Sequence, residues 1–275
     1  MTDTAEHRGR ADLHIHTLAS DGTAGIDAIL DHVERRTDLD VIAITDHERI
    51  DAAVAARKLA ADRSLRFEVV VGEEVTTLGG HLLALYVDRP IRPYRSLRTT
   101  IQAVHDAGGL AIPAHPLVPY PLCAQGWMLR RLLDDPDPAA HPDALETFNP
   151  TSLGKPWHRR VVRFADLHGL ARVGNSDAHA LDAIATGWTT FPGRDAGALR
   201  RAIEAGTTDH GGEFHATAGQ FATFGQQLRK RSRDLRDEVA GRVRRDGTGR
   251  DHGYPGGRQR PPRFETGEPT ELHGR

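Results

Sequence analysis

The chain has 275 residues, 38% of them hydrophobic, and 38 acidic against 36 basic side chains leave a net charge of −2. This balance excludes a protein that coats nucleic acid through a generally basic surface. The apolar runs are far shorter than the roughly 20 residues that span a bilayer. The polar N-terminus lacks the apolar segment of a secretory signal. Cys123 is the single cysteine, which excludes a disulfide framework and makes a cytoplasmic location the expectation.

Short β-branched runs alternate with amphipathic stretches rich in Ala, Leu and Arg through the first 205 residues. Strands are predicted at 11–15, 41–45, 67–71, 81–86, 110–113, 144–148 and 171–174. Helices are predicted at 25–36, 49–61, 96–107, 127–133, 156–168 and 196–205. Strands that alternate with helices of this length indicate βαβ units and a mainly parallel sheet. Seven strands without a linker between them favour one barrel-like α/β domain over residues 10–205.

The character of the sequence changes after residue 205. Apolar residues recur at helical spacing between basic ones from Gln220 to Arg245, which predicts an amphipathic helix within a C-terminal extension over 206–245. Residues 246–275 are rich in Gly and Pro and nearly lack aliphatic side chains, which predicts a disordered tail. Its simplest interpretation is a solvated segment without a partner. Residues 1–9 are also expected to be disordered.

Histidine and carboxylate residues cluster at the ends of the predicted strands, and the chain holds 16 histidines. The first strand runs into DLHIH and then SDG, the second ends TDH, the third ends GEE, the fourth opens GGH, the fifth ends AHP, the sixth contains Glu146, and the seventh ends NSDAH. In a closed βα architecture the loops after the strands converge on one face. His14 and His16 share one face of an extended segment. Histidine and carboxylate groups without cysteine suit Zn²⁺, Mn²⁺ or Fe²⁺.

The motifs DLHIHT with SDGT, ITDHE, GEEVT with GGHLLAL, AHP and NSDAH resemble, in order, those of the polymerase and histidinol phosphatase (PHP) superfamily. The resemblance covers residues 10 to about 205 and implies a distorted (β/α)7 barrel with a trinuclear metal site at the C-terminal ends of its strands. It implies that the first ion is held by His14, His16, Glu74 and Asp177, the second by Glu74, His81 and His115, and the third by Asp21, His47 and His179. A competent residue fills every ligand position, which argues against a non-catalytic copy.

Two further carboxylates lie next to these positions. The family pattern Gly-x-Glu selects Glu74, and adjacent residues of a strand point to opposite faces, so Glu73 is expected to be an outer carboxylate. Asp46 is expected to orient a ligand histidine through a hydrogen bond.

Relatives that act on nucleotides or RNA carry a long insertion between the positions of His81 and His115, whereas this chain has a single loop and helix there. The site is therefore expected to be more open. A grip on the substrate phosphate is expected from Lys155, His158 or Arg159, although these three residues could equally form a basic helix surface.

Two or three divalent ions lower the pKa of a bridging water and neutralise charge on a phosphoryl group. The predicted function is therefore hydrolysis of a phosphate mono- or diester by a metal-bridging hydroxide, on a small phosphorylated metabolite, a nucleotide or an RNA end. His179, His47 or a water on the third ion would handle the leaving-group proton. The alternatives are a carboxylic or carbamate ester hydrolase with the same metals, and a non-catalytic nucleic-acid or protein interaction module that uses the basic helix.

Overall fold

A computed structural model describes residues 8–151 and 154–214. Its strands are β1 (Arg8–Ile15), β2 (Val41–Ile44), β3 (Glu68–Thr77), β4 (Gly80–Leu85), β5 (Leu110–Pro113), β6 (Ala144–Phe148), β7 (Ala171–Gly174), β8 (Gly187–Pro192) and β9 (Asp209–Gly212). Its helices are α1 (Ile26–Arg36), α2 (Asp51–Asp62), α3 (Leu97–Asp106), α4 (Gly126–Leu133), α5 (His158–His168) and α6 (Ala196–Glu204). Every strand and helix predicted between residues 11 and 205 is confirmed. The helix predicted over 220–245 and the tail over 246–275 lie outside the described residues.

Seven strands form one curled sheet in the order β5-β4-β3-β2-β1-β8-β9, and β6 pairs with β7 in a second sheet. The prediction of a mainly parallel sheet is wrong. Within the described ranges, β1–β2, β2–β3 and β6–β7 are parallel, whereas β3–β4, β4–β5, β1–β8 and β8–β9 are antiparallel. For β3 and β4 the physical reason is their short return, since a two-residue connection permits only an antiparallel pair.

Strand β8 lies inside the predicted domain but was not predicted, whereas β9 and the start of β1 lie beyond its predicted ends. β9 lies after residue 205, in the segment assigned to the C-terminal extension, and it consists of the weak strand sequence DHGG. Gly211 allows it to pack closely, because a Cβ there would lie 2.5 Å from the Trp188 ring. At the other end β1 begins at Arg8, inside the segment predicted to be disordered, and Arg8 and Gly9 pair with Pro192 and Phe191 of β8.

The core consists of two apolar clusters on the two faces of the sheet. In β2, Ile42 and Ile44 face the cluster that includes α1 and α2, whereas Val41 and Ala43 face the cluster that includes α6. A strand buried on both faces reads as a continuous apolar run, which explains the sequence VIAI. No helix in the described part of the chain has the length and apolarity to cross a bilayer.

His105 joins α3 to the start of β6. Its Nδ1 lies 2.9 Å from the Ala139 carbonyl oxygen and its Nε2 2.9 Å from Asp143 Oδ2. Both partners are acceptors, so the charged imidazolium donates from both nitrogens. The hydrogen bond to Asp143 raises the pKa of His105.

We expect His105→Gln to lower the free energy of unfolding by about 1 kcal/mol near pH 6 and by less near pH 10. A histidine whose pKa is raised by folding adds stability that is fully present below its unfolded pKa of about 6.5 and is lost as the pH rises through the folded pKa. Urea titrations of both proteins, with chelator present, measure the difference. An equal loss at both pH values would contradict the charged hydrogen bond.

Candidate metal centre

The strand ends bring the predicted ligands to one place. At the end of β1, the backbone N–H of His16 donates to the Ala178 carbonyl at 2.9 Å, and the N–H of Ala178 donates to the His14 carbonyl at 3.0 Å. His47, after β2, forms an isolated bridge with Glu74 of β3. Because β4 runs antiparallel to β3, His81 reaches the same region from the amino end of its strand. The antiparallel pairing that the sequence did not predict therefore still delivers His81 to the cluster.

Nine side chains form this group, which we call the ligand cluster: His14, His16, Asp21, His47, Glu74, His81, His115, Asp177 and His179. Three subsets have potential ligand atoms within 4.8 Å of one another: His16, Asp21, His47 and His179; His14, His16 and Asp177; and His47, Glu74 and His81. These subsets overlap the three ion sites implied by the family resemblance. They differ in that His16 and His47 each belong to two subsets, Glu74 is absent from the subset of His14 and Asp177, and His115 is in none of the three.

Glu74 lies at the centre of the ligand cluster. Its Oε2 is 3.3 Å from His14 Nε2, 3.4 Å from His16 Nε2 and 3.3 Å from His47 Nδ1. Its Oε1 is 2.6 Å from His81 Nδ1 and 3.2 Å from His115 Nε2. One carboxylate thus faces five imidazoles, an arrangement that agrees with the shared ligand implied by the family resemblance.

Glu73 points away from the cluster, as strand alternation predicts. Its Oε1 accepts a hydrogen bond of 2.5 Å from the Ile91 backbone N–H, and its Oε2 makes no hydrogen bond to a described residue. Burial raises the pKa of Glu73 to about 8. This carboxyl group is therefore neutral near pH 7.

Three buried imidazole nitrogens of the ligand cluster make no hydrogen bond to any described residue: His14 Nε2, His16 Nε2 and His47 Nδ1. All three point at Glu74 Oε2. A buried polar atom without a partner is costly, and buried polar atoms are nearly always satisfied. A divalent cation among these nitrogens and carboxylates would satisfy them. The donor set, imidazole and carboxylate without thiolate, fits Zn²⁺, Mn²⁺ or Fe²⁺.

The carboxylates of the ligand cluster are ionised. Burial alone raises the pKa of Glu74, Asp177 and Asp21, but the surrounding histidines outweigh burial and hold all three pKa values below the usual range. Their negative charge lies among largely buried groups, where a cation is attracted more strongly than at a solvated surface.

Several histidines carry the compensating protons. Burial alone lowers the pKa of His14, His47, His115 and His179, but their hydrogen-bonding and charged neighbours raise all four pKa values, that of His47 to about 9. Burial lowers the pKa of His16. Protons on imidazoles therefore occupy the lone pairs that an ion would need.

We expect metal-free protein to release protons when it binds Zn²⁺ near pH 7, because a ligating imidazole nitrogen must be deprotonated. The apparent affinity should rise with pH up to about 9, the pKa of His47, since fewer protons then compete for the nitrogens. Calorimetric titration in two buffers that differ in ionisation enthalpy measures the number of protons released. Identical heats in the two buffers would contradict this expectation.

Two members of the ligand cluster have left-handed backbone conformations that favour glycine. The φ angles are +33° at His115 and +52° at Asp177. Such conformations cost on the order of 1–3 kcal/mol each and persist where the surroundings enforce them. The contacts around these two residues therefore hold the backbone in conformations that it would not favour on its own.

Glu146 supports the ligand cluster from behind, and sequence reasoning assigned it no role. Its Oε1 accepts hydrogen bonds from His14 Nδ1 at 3.1 Å and Asn175 Nδ2 at 2.8 Å. Its Oε2 accepts from the His115 backbone N–H at 2.6 Å and Asn149 Nδ2 at 3.2 Å. A ligating histidine usually donates its other ring N–H to such a group. The sequence feature that could have indicated this role is a carboxylate inside the buried strand ALETF.

Asp46 braces the loop after β1 and makes no direct hydrogen bond to a histidine of the described ranges. It accepts hydrogen bonds from the Thr17 backbone at 2.8 Å, the Thr17 hydroxyl at 2.7 Å and the Ser20 hydroxyl at 2.5 Å. Ser20 Oγ in turn lies 3.4 Å from His16 Nδ1. The expected direct contact is replaced because three nearby donors already use the carboxylate, so Asp46 reaches His16 only through Ser20.

The three residues that were predicted to bind the substrate phosphate lie away from the ligand cluster. Among the described residues, Lys155, His158 and Arg159 make no hydrogen bond or ion pair with the ligand cluster. His158 Nδ1 donates to the Thr147 carbonyl at 2.9 Å, and Lys155 lies over the Phe214 ring. His158 and Arg159 line a surface cavity of about 480 Å³ between α5 and β9. Thr147 is adjacent to Glu146 on β6, and its hydroxyl contacts His210 of β9 instead of the cluster.

The ligand cluster has a buried side and a more exposed side, and we call the more exposed side its mouth. His14 and His16 are fully buried and Glu74 nearly so. The exposed fraction is 10% for Asp21, 12% for His179, 13% for His47, 14% for Asp177 and 17% for His115. A substrate would therefore meet these five side chains first.

The chain is similar in sequence to a family model and to a protein of another organism. A family model described as PHP-associated matches residues 155–208. An uncharacterized protein of Methanocaldococcus jannaschii is 35% identical over 121 residues, an alignment that covers 40% of this chain and 69% of that protein.

Two crystal structures have a similar fold. One is a two-domain protein from Bacteroides vulgatus that contains a predicted PHP-like metal-dependent phosphoesterase, with a TM-score of 0.62 and 16% identity over 75% of this chain. This chain spans 65% of that protein, less than two thirds of its length. The other is PsfC from Pseudomonas syringae, with a TM-score of 0.57 and 18% identity over 82% of this chain and 99% of that one.

Proposed function

The chain belongs to the polymerase and histidinol phosphatase superfamily, and we propose that it is a metal-dependent hydrolase of phosphate mono- or diesters. The observation that carries the proposal is the ligand cluster, in which five imidazoles face one buried carboxylate and three buried nitrogens make no hydrogen bond to a described residue. Zn²⁺, Mn²⁺ or Fe²⁺ bound there would lower the pKa of a coordinated water and neutralise phosphoryl charge.

The three proposed ion positions would differ in depth, because their ligands differ in exposure. His14, His16, Glu74 and Asp177 would hold the deepest ion, and Glu74 with His81 and His115 the second. Asp21, His47 and His179 would hold the third, at the mouth. We propose that the phosphoryl group enters from this more exposed side, because the buried face of the cluster is closed by Glu146.

His179 has only one ring nitrogen available at the mouth. Its Nδ1 donates to the Asp177 carbonyl at 2.9 Å, which leaves Nε2, 3.2 Å from Asp21 Oδ1. His47 presents Nε2 to Asp21 Oδ2 at 3.5 Å and Nδ1 to Glu74. If the third position is filled, these nitrogens are ligands. If only two ions bind, His179 or His47 is placed to give a proton to the leaving group.

Metal analysis followed by a substrate panel tests the proposal. Protein expressed with added metal is expected to hold two or three equivalents of Mn, Fe or Zn, and to hydrolyse p-nitrophenyl phosphate or bis-p-nitrophenyl phosphate faster than p-nitrophenyl acetate. Less than one equivalent in folded protein would contradict the metal centre. A preference for the acetate would favour the carboxylic ester hydrolase instead, and metal binding without turnover of any ester would favour the interaction module.

A further inference from the structure

We propose that Cys123 is a positioning residue for His115: its sulfur accepts a hydrogen bond from His115 Nδ1–H and so aims Nε2 at Glu74. The inference rests on the proposed metal centre, in which His115 is a ligand. It assigns a function to the single cysteine of the chain, which the hydrolytic chemistry itself does not use.

The contacts of the His115 ring define its orientation. Nδ1 lies 3.2 Å from Cys123 Sγ, and Nε2 lies 3.2 Å from Glu74 Oε1. For Nε2 to offer its lone pair to an ion, the ring proton must be on Nδ1, which makes the sulfur the acceptor. Ligating histidines usually donate this second N–H to a carboxylate, a carbonyl or water. Here a buried thiol takes that position.

The backbone of His115 is held firmly, which leaves ring rotation as the remaining freedom. The residue has φ of +33° immediately before Pro116, and its N–H donates to Glu146 Oε2 at 2.6 Å. These features fix the Cα–Cβ direction. They do not determine which ring nitrogen faces Glu74, and the contact with Cys123 does.

The position of Cys123 is fixed by the hairpin that carries His81. The His81 backbone N–H donates to the Leu122 carbonyl at 2.9 Å. At Gly80, whose φ is +117°, a Cβ would lie 2.5 Å from the Ala124 nitrogen and 2.8 Å from the Cys123 carbonyl carbon. The hairpin therefore packs directly against residues 122–124. One loop contact thus places two ligands of the second ion, His81 through its strand and His115 through the thiol.

The test compares three variants of the full-length, chelator-stripped protein. Cys123→Ala removes the acceptor, and Cys123→Ser replaces it with a hydroxyl that accepts the same N–H. Val118→Ala is the matched control, because Val118 is a buried side chain of the same loop and its loss removes packing without removing the acceptor. Zn²⁺ affinity is measured by competition with a chelator, and Co²⁺ absorption reports the coordination geometry.

We expect C123A to weaken binding of one zinc equivalent about 10- to 100-fold and to change the Co²⁺ spectrum, whereas C123S retains most of the affinity and V118A behaves as wild type. In metal-free protein, proton NMR should show a slowly exchanging His115 Nδ1–H signal that C123A loses. Equal zinc affinity in C123A and wild type, or an equal loss in V118A, would overturn the positioning role alone. Failure of wild-type protein to bind any metal would overturn both this inference and the proposed function.

Discussion

Replacing His14 by alanine, or Asp177 by alanine or asparagine, is expected to reduce kcat/KM for phosphoester hydrolysis by roughly 10³-fold or more, since loss of a catalytic ion removes several kcal/mol of transition-state stabilisation. His14 Nε2 lies 3.4 Å from Asp177 Oδ1, and both residues face the centre of the ligand cluster. Each substitution therefore disrupts the same proposed ion. Asp177→Asn preserves the shape of the side chain and removes only its charge.

Metal content, circular dichroism and turnover of the same preparations check this expectation. His168→Ala is the control, because His168 is exposed at the end of α5. This substitution removes a histidine without changing the ligand cluster. Wild-type turnover in either His14→Ala or Asp177→Ala would contradict the proposed ligands of the deepest ion.

Replacing Glu146 by alanine is expected to lower both metal affinity and stability. Four donors lose their acceptor, from His14, His115, Asn149 and Asn175. The free energy of unfolding should fall by about 3 kcal/mol, because buried donors are left unsatisfied. Metal affinity should fall about 10- to 100-fold, because the His14 ring and the His115 backbone lose their support. Chemical denaturation and zinc competition measure the two effects.

Glu73→Gln is the control for Glu146→Ala, since Glu73 is also a buried glutamate but points away from the ligand cluster. Burial raises the pKa of Glu73 to about 8, so folding at pH 7 takes up a proton that the unfolded chain lacks. This cost is absent below the unfolded pKa and grows as the pH rises to about 8. We therefore expect Glu73→Gln to leave metal affinity unchanged and to stabilise the protein by about 1–3 kcal/mol at pH 7. Equal effects of the two substitutions on metal affinity would contradict the supporting role of Glu146.

The sequence determined most of the local elements, and its resemblance to the family gave the residues of the ligand cluster. Alternating apolar runs and helical periodicity reflect short-range side-chain geometry, and the strands and helices predicted before residue 205 are all present. The same period-two geometry places His14 and His16 on one face and, once the family pattern had selected Glu74, places Glu73 on the other face. These inferences succeeded because each depends on residues that are close together along the chain.

The tertiary structure decided the strand pairing and the supporting contacts of the cluster. β9 is held by packing against Trp188. Its sequence, DHGG, has no apolar pattern that would predict a strand. Glu146 meets His14 across 132 positions of sequence, and nothing in the sequence near Glu146 indicates that partner. Lys155, His158 and Arg159 follow a strand end, yet α5 and β9 bring His158 and Arg159 to a separate cavity. Local sequence specifies which side chains point out of a strand, but only the folded arrangement of strands determines what they meet.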